Sequence, residues 1–189
     1  MRIAPVILIA GCFTSSPAPV TTLSNNATPA ADAMSVTATA VGPLDADTEA
    51  TLVHLRAVLA GYEVKPAHDG SLQYDVYKGT EKLFYVVPDD DRGTIFNIHV
   101  VSGSVPVAGK SWRVGQPFAG ADRLSTCECW GDNPTCFTVG EHVAVNFDRT
   151  CDDVTSDARA RRTLDGMAIQ RVIWNPLPFG DDPDEEVRD

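Results

Sequence analysis

From about residue 71 onward, apolar and polar positions alternate with a period of two. Leu72, Tyr74 and Val76 interleave with Gln73 and Asp75; Phe96, Ile98 and Val100 with Asn97 and His99; Val143, Val145 and Phe147 with Ala144 and Asn146. Successive side chains of a strand point to opposite faces, so this pattern predicts half-buried β-strands. Residues 83–87 are apolar on both parities and read as a central strand, residues 169–174 as a last strand ended by Asn175-Pro176, and residues 112–114 as a short one. Lys78-Gly79-Thr80 and the run from Pro88 to Gly93 supply turns. Helical spacing is found in Leu52, Leu55 and Leu59, with the acids of Asp45-Ala-Asp-Thr-Glu49 at the positive end and Gly61 as the stop. Pro117 is placed to open a short helix reaching Leu124, and residues 153–164 read as helix or loop. The predicted fold is α+β: mainly an antiparallel β-sheet meander with one N-terminal helix packed on it.

The first twelve residues follow a different pattern. Met1-Arg2 precedes an apolar run over residues 3–10, interrupted only by Pro5, and the run ends in Ile9-Ala10-Gly11-Cys12. Eight residues cannot span roughly 30 Å of hydrocarbon, which takes about 20 in a helix. A basic start, a short apolar run and small residues make a secretory signal, and a cysteine directly after the small pair resembles a lipobox. That predicts cleavage before Cys12 and lipidation of its sulfur, with attachment to a lipid bilayer through several acyl chains, because one chain alone binds marginally. Phe13, in place of an aspartate, favours the outer membrane. The expected map is a signal peptide over residues 1–11, a lipidated Ser/Thr/Ala/Pro-rich tether over 12–42, a globular domain over 43–178 and an acidic tail over 179–189. The tether composition cannot bury a core, and some 30 such residues reach on the order of 30 Å.

Charge narrows the partners. The 189 residues carry a net charge of −11. Losing Arg2 with the leader leaves 14 basic against 26 acidic residues, about −12. Such a surface repels nucleic acid. Asp181, Asp182, Asp184, Glu185, Glu186 and Asp189 crowd the C-terminus and read as a solvated tail. The one basic cluster is Arg159, Arg161 and Arg162. It reads first as a solvated face and otherwise as a contact for an acidic or phosphate-bearing partner. Trp130 is the aromatic candidate for a partner contact, unless its ring packs over a neighbouring disulfide.

With Cys12 assigned, Cys127, Cys129, Cys136 and Cys151 remain, an even number that predicts two disulfides in an exported chain. Cys127 and Cys129 share one face of a strand and should not bond each other. A turn over residues 130–134 places Cys129 opposite Cys136 and leaves Cys127 for Cys151. Cys127–Cys136 with Cys129–Cys151 is the alternative pairing. Zinc would need two CxxC halves, which the spacing lacks.

No motif supplies catalysis, and no cofactor or metal is expected. Gly109-Lys110-Ser111 ends like a phosphate loop, but Ser104 stands where the first glycine belongs. Asp89-Asp90-Asp91 with Gly93 lacks the glutamate that closes a calcium loop, and reads as a charged turn. No Gly-x-Ser-x-Gly or HExxH occurs. His54, on the helix, His68, in a turn, and His99 and His142, on polar strand faces, are placed apart.

The order of short segments resembles a known family. Gly61-Tyr-Glu-Val64, Asp75-Val-Tyr-Lys78, Leu83-Phe-Tyr-Val86, Ile98-His-Val-Val-Ser102, Val114-Gly-Gln-Pro-Phe118, the cysteine hairpin and Ile169-Gln-Arg-Val-Ile-Trp174 are similar to the envelope-stress (RpoE)-regulated lipoproteins of Gram-negative bacteria, a domain of unknown function. The resemblance covers roughly residues 45–175. It implies an envelope location and a matching of Cys129 and Cys136 to the family's cysteine pair, and it carries no catalytic residues. The expected role is binding or structural support in the envelope, with an unidentified envelope protein or ligand as partner. An envelope hydrolase built from distant segments, or an accessory or inhibitory subunit of a membrane complex, is the alternative.

Overall fold

The computed structural model describes residues 34–120, 124, 126–130, 133–151 and 162–180. The alternating segments form one antiparallel sheet of eight strands: β3 (Glu63–Asp69), β4 (Ser71–Lys78), β5 (Glu81–Pro88), β6 (Ile95–Val100), β7 (Thr126–Trp130), β8 (Asn133–Phe137), β9 (Val143–Phe147) and β10 (Ile169–Trp174). Before them come a two-residue hairpin, β1 (Ala40–Val41) with β2 (Leu44–Asp45), and the helix α1 (Leu52–Val58). The sheet order is β3-β4-β5-β6-β10-β9-β8-β7. Two four-stranded meanders therefore meet edge to edge, their last strands β6 and β10 making the seam. All pairings within the sheet are antiparallel.

Register shows how the core is built. One cross-strand row runs Val64, Val76, Phe84, Val100, Val172, Val145, Cys136, Cys127 and touches every strand. Each of these side chains is buried. The same face carries Tyr74, Val86, Ile98, Val143, Phe147 and Trp174, also buried. Leu55 and Leu59 of the helical segment join this cluster, and the Arg56 guanidinium donates to the Val64 carbonyl at 3.0 and 3.1 Å.

The helix begins later than its acids suggest. Thr51 is the N-cap, its hydroxyl accepting from the His54 amide, and no acid lies in the first turn. Asp45 instead accepts the Asp47 amide at 3.2 Å and the Thr48 hydroxyl at 2.7 Å. These local bonds hold the acidic stretch in a turn and compete with helix there. No helix starts at Pro117, which bridges Ala168, while Phe118 exchanges main-chain bonds with Gly166 and Met167. Residues 112–114 are likewise not a strand. The strand β3 is the element the alternation did not reveal, and it places His68 in a strand rather than a turn. It is an edge strand with mostly exposed positions and with Pro66 inside it, as edge strands tolerate.

Both domain bounds move outward. The expected tether is part of the fold from Met34 on. Val36 and Val41 are fully buried, Val36 bridging Val41 and Val107. The Trp174 indole donates to the Ala38 carbonyl at 3.3 Å. The β1–β2 turn takes Gly42 at φ +56°, a left-handed conformation that glycine adopts without a Cβ penalty. At the other end Phe179 is buried and stacks on Phe137, centroids 5.0 Å apart. The acids of the tail lie outside the described residues.

The disulfides are Cys127–Cys136 and Cys129–Cys151. This corrects the Cys129–Cys136 pair, whether expected from the turn or implied by the family resemblance. The hairpin is tighter than the expected five-residue turn: β7 runs on to Trp130, which pairs with Asn133. That register sets Cys127 directly opposite Cys136, at a Cα separation of 4.0 Å, and Cys129 opposite Pro134.

Candidate functional site

The reverse face of the sheet gathers the polar chemistry. The row next to the apolar one runs Lys65, Asp75, Tyr85, His99, Ile173, Ala144, Phe137, Thr126. On the first meander it is polar and aromatic. On the second, Ile173, Ala144 and Phe137 close into a small apolar cluster with Phe179.

Asp75 is buried and heavily solvated by protein donors. It accepts from Gln73 Nε2 at 2.9 Å and from the Tyr77 hydroxyl at 3.2 Å, and it pairs with Lys82 Nζ at 2.7 Å. Lys82 also lies over the Tyr85 ring, 4.9 Å from its centroid. Tyr85 and His99 face each other across β5 and β6 and stack nearly parallel, centroids 4.6 Å apart.

Arg171 completes the group from β10. Its Nη1 donates to the Tyr85 hydroxyl oxygen at 2.8 Å and stands 3.4 Å from His99 Nδ1. Its Nε is buried with no acceptor. No carboxylate pairs with it among the described residues. Burial, and then the nearby Arg171 charge, lower the His99 pKa to about 3. Burial raises that of Tyr85. His99 is therefore neutral at physiological pH and a poor proton acceptor. Tyr85 stays protonated.

Among the described residues, the other histidines show no bond to a carboxylate. His142 Nδ1 lies 2.9 Å from the Asn175 carbonyl oxygen. His54 is half-buried on α1, and His68 is exposed on edge strand β3. Two Ser hydroxyls, Ser102 and Ser104, bond Glu81 and hold its pKa below the ordinary value. Glu81 and Ser104 line a cleft of about 500 Å³ with Tyr62, Lys78 and Arg113. Among the described residues that line this cleft there is no histidine, and the acceptor of both hydroxyls is the Glu81 carboxylate.

The residues singled out in the sequence are only partly brought together. Trp130 ends β7 in register with Asn133, and Arg162 is exposed at the start of a 3₁₀ turn, Arg162–Leu164. Cys12, Arg159 and Arg161 lie outside the described residues, so no joint basic site can be drawn. Asp89 caps its own turn, accepting the Asp91 and Arg92 amides and pairing with the Arg92 side chain. Lys110 pairs with Glu141 and lies over the Trp112 ring. Among the described residues no group of His, Cys, Asp or Glu is set to hold a metal. Tyr85, Lys82 and Arg171 were missed. The available signal was Arg171 itself, a charge inside a strand that is apolar apart from Gln170, on the parity opposite Val172 and Trp174.

No family model matches the sequence, and no curated protein matches it. The fold is similar to the crystal structure of yfeY, an uncharacterized protein from Escherichia coli. The TM-score is 0.54 at 20% identity, covering 75% of this chain and 99% of that one.

Proposed function

We propose that this chain is a lipid-anchored protein of the bacterial envelope, attached through Cys12, whose sheet domain has a binding or structural role. The carrying observation is the cysteine set directly after Ile9-Ala10-Gly11 at the end of a short apolar leader. Two disulfides in the domain support the same compartment, since such cross-links persist where the surroundings are oxidising. The resemblance to the envelope-stress (RpoE)-regulated lipoproteins belongs to this reading, as does outer-membrane residence. The shared fold of yfeY is compatible with it and adds no activity.

Binding is preferred to hydrolysis because of what the histidines meet. A general base works with a proton affinity near the operating pH and a partner that orients it. His99 meets a guanidinium and His142 a main-chain carbonyl. The deciding experiment is fractionation of the Cys12→Ser variant in a Gram-negative host. Wild-type protein should sediment with outer membranes, and mass spectrometry should find its N-terminus at an acylated Cys12. The variant should leave the membrane. A variant that still sediments with membranes, or a native chain with an uncut leader and a free Cys12 thiol, overturns the anchor.

A further inference from the structure

We infer that the cleft beside the β4–β5 turn binds a small zwitterion of the amino-acid type, its ammonium on Glu81, its carboxylate on Lys78 and Arg113, and its apolar part over Leu83 and Val105. The inference rests on the binding half of the reading above and not on the lipid anchor.

The starting observation is an ion pair that does not form. Lys78 and Glu81 are directly opposed at the end of the β4–β5 ladder, where opposite charges ordinarily attract. Among the described residues no ion pair joins them. The Lys78 ammonium leans instead over the Tyr62 ring, 6.0 Å from its centroid. The Glu81 carboxylate turns to Ser102 and Ser104. Both hydroxyls bond the same oxygen, Oε1, and leave Oε2 without a donor among the described residues. They also keep the carboxyl ionised, because donors to the charged form hold its pKa below the ordinary value. Lys78, Tyr62, Glu81 and Ser104 all line the cleft of about 500 Å³, together with the buried side chains of Leu83 and Val105. That volume is in the range of small-ligand sites.

Arg113 brings a second cation to the same cleft. Its Nη1 donates to the Gly103 carbonyl at 3.3 Å, one residue before the Ser104 hydroxyl that bonds Glu81 at 3.0 Å. The serine loop and the Arg113 segment are packed main chain to main chain: a Cβ on Gly103 would lie 2.6 Å from the Val114 carbonyl oxygen. One short run of bonds thus holds Arg113 and Glu81 on one cavity. The lining carries two cations and one carboxylate. A purely anionic ligand meets the Glu81 charge, and a purely cationic one meets two like charges. A ligand bearing both charges satisfies each. Its carboxylate matches the guanidinium fork with two parallel bonds, and its ammonium donates to the free Glu81 Oε2. An apolar side chain removes Leu83 and Val105 from water. A free amino acid and a dipeptide share this chemistry.

The test is isothermal titration calorimetry of the full-length protein at pH 7, in a non-ionic detergent, with L-leucine and with L-leucyl-L-leucine. Saturable binding is expected. Tighter leucine assigns the free amino acid, and tighter leucyl-leucine assigns the dipeptide. Removing either charge of the tighter ligand, by N-acetylation or as its C-terminal amide, should weaken binding roughly tenfold. Glu81→Gln should weaken the parent ligand by a similar factor and leave the N-acetylated form no weaker than in wild type. Arg113→Gln should do the same for the parent and the amide. Both residues are exposed, so the sheet amide NMR spectrum should be retained. Absence of saturable heat with either ligand, analogues that bind wild type as tightly as the parent, or unchanged affinity in folded Glu81→Gln and Arg113→Gln overturns the proposal. None of these outcomes touches membrane attachment, so the site and the anchor fail separately.

Discussion

The two meanders present the same row of the sheet's reverse face, and they fill it differently. On the first, the row is Asp75, Tyr85 and His99; on the second, Ile173, Ala144 and Phe137, capped by Phe179. The core face does not differ in this way, because its row is apolar across all eight strands. Stability and chemistry are thus placed on opposite parities. The seam between β6 and β10 is where polar gives way to apolar, and Arg171 reaches across it from the second meander to Tyr85 and His99 of the first.

The halves also differ in how they are held. The first relies on strands of six to eight residues and the helix behind them. The outer strands of the second have five residues each, too short to bury much area alone, and carry both cross-links. Cys129–Cys151 ties the outer hairpin to the chain beyond β9, so this edge of the sheet is stapled while the β3 edge is open.

The largest expected effect breaks the seam. Trp174 is buried in the last strand and holds the segment before β1 through its indole bond to Ala38. Trp174→Ala should cost about 4 kcal/mol. Hydrogen exchange should show both meanders losing protection together. Loosening of the second alone would mean that the sheet is two units.

Acid should act at the same seam, slightly less strongly. The folded His99 pKa of about 3 lies below the ordinary 6.5, so the unfolded chain takes up a proton first. Its contribution is complete above pH 6.5 and is lost as pH falls toward 3. At a limiting slope of about 1.4 kcal/mol per pH unit, stability should drop by about 3 kcal/mol between pH 6.5 and about 4. His99→Gln should flatten that slope in denaturant melts. An equal slope in wild type and variant would remove His99 as the cause. Glu81, also held low, contributes only below the ordinary carboxylate range, where the two are separable.

The smallest effect should be confined to the stapled half. Replacing Cys127 and Cys136 by Ala opens a short loop, nine residues in separation, for a loss of about 2–3 kcal/mol. Exchange should quicken in β7 and β8 and leave β4 and β5 as they were. Uniform quickening would contradict the division of labour between the halves.

Much of this was legible in the chain. Strands β4, β5, β6, β9 and β10 follow from alternation or apolar runs, because a buried face imposes its period on the sequence. Edge strand β3 was not legible, since a strand with little burial leaves no such period. The buried ends, Val36 and Phe179, hid in segments whose composition is that of a tether and a tail. Composition averages over residues, whereas burial is decided one side chain at a time.

The candidate site divides along the same line. Local sequence determined that His99 and Arg171 sit in strands, that four cysteines would pair, and that Cys12 directly follows Ile9-Ala10-Gly11. Register alone decided the rest: Cys127 against Cys136, Tyr85 against His99, and Arg171 within reach of both. A one-residue slip sends every side chain to the other face, and the pairing of strands far apart in the chain is fixed by the total packing of the core. That is why the chain could announce its elements and its cross-linking residues, while only the assembled sheet brought the Arg171 guanidinium beside a neutral histidine.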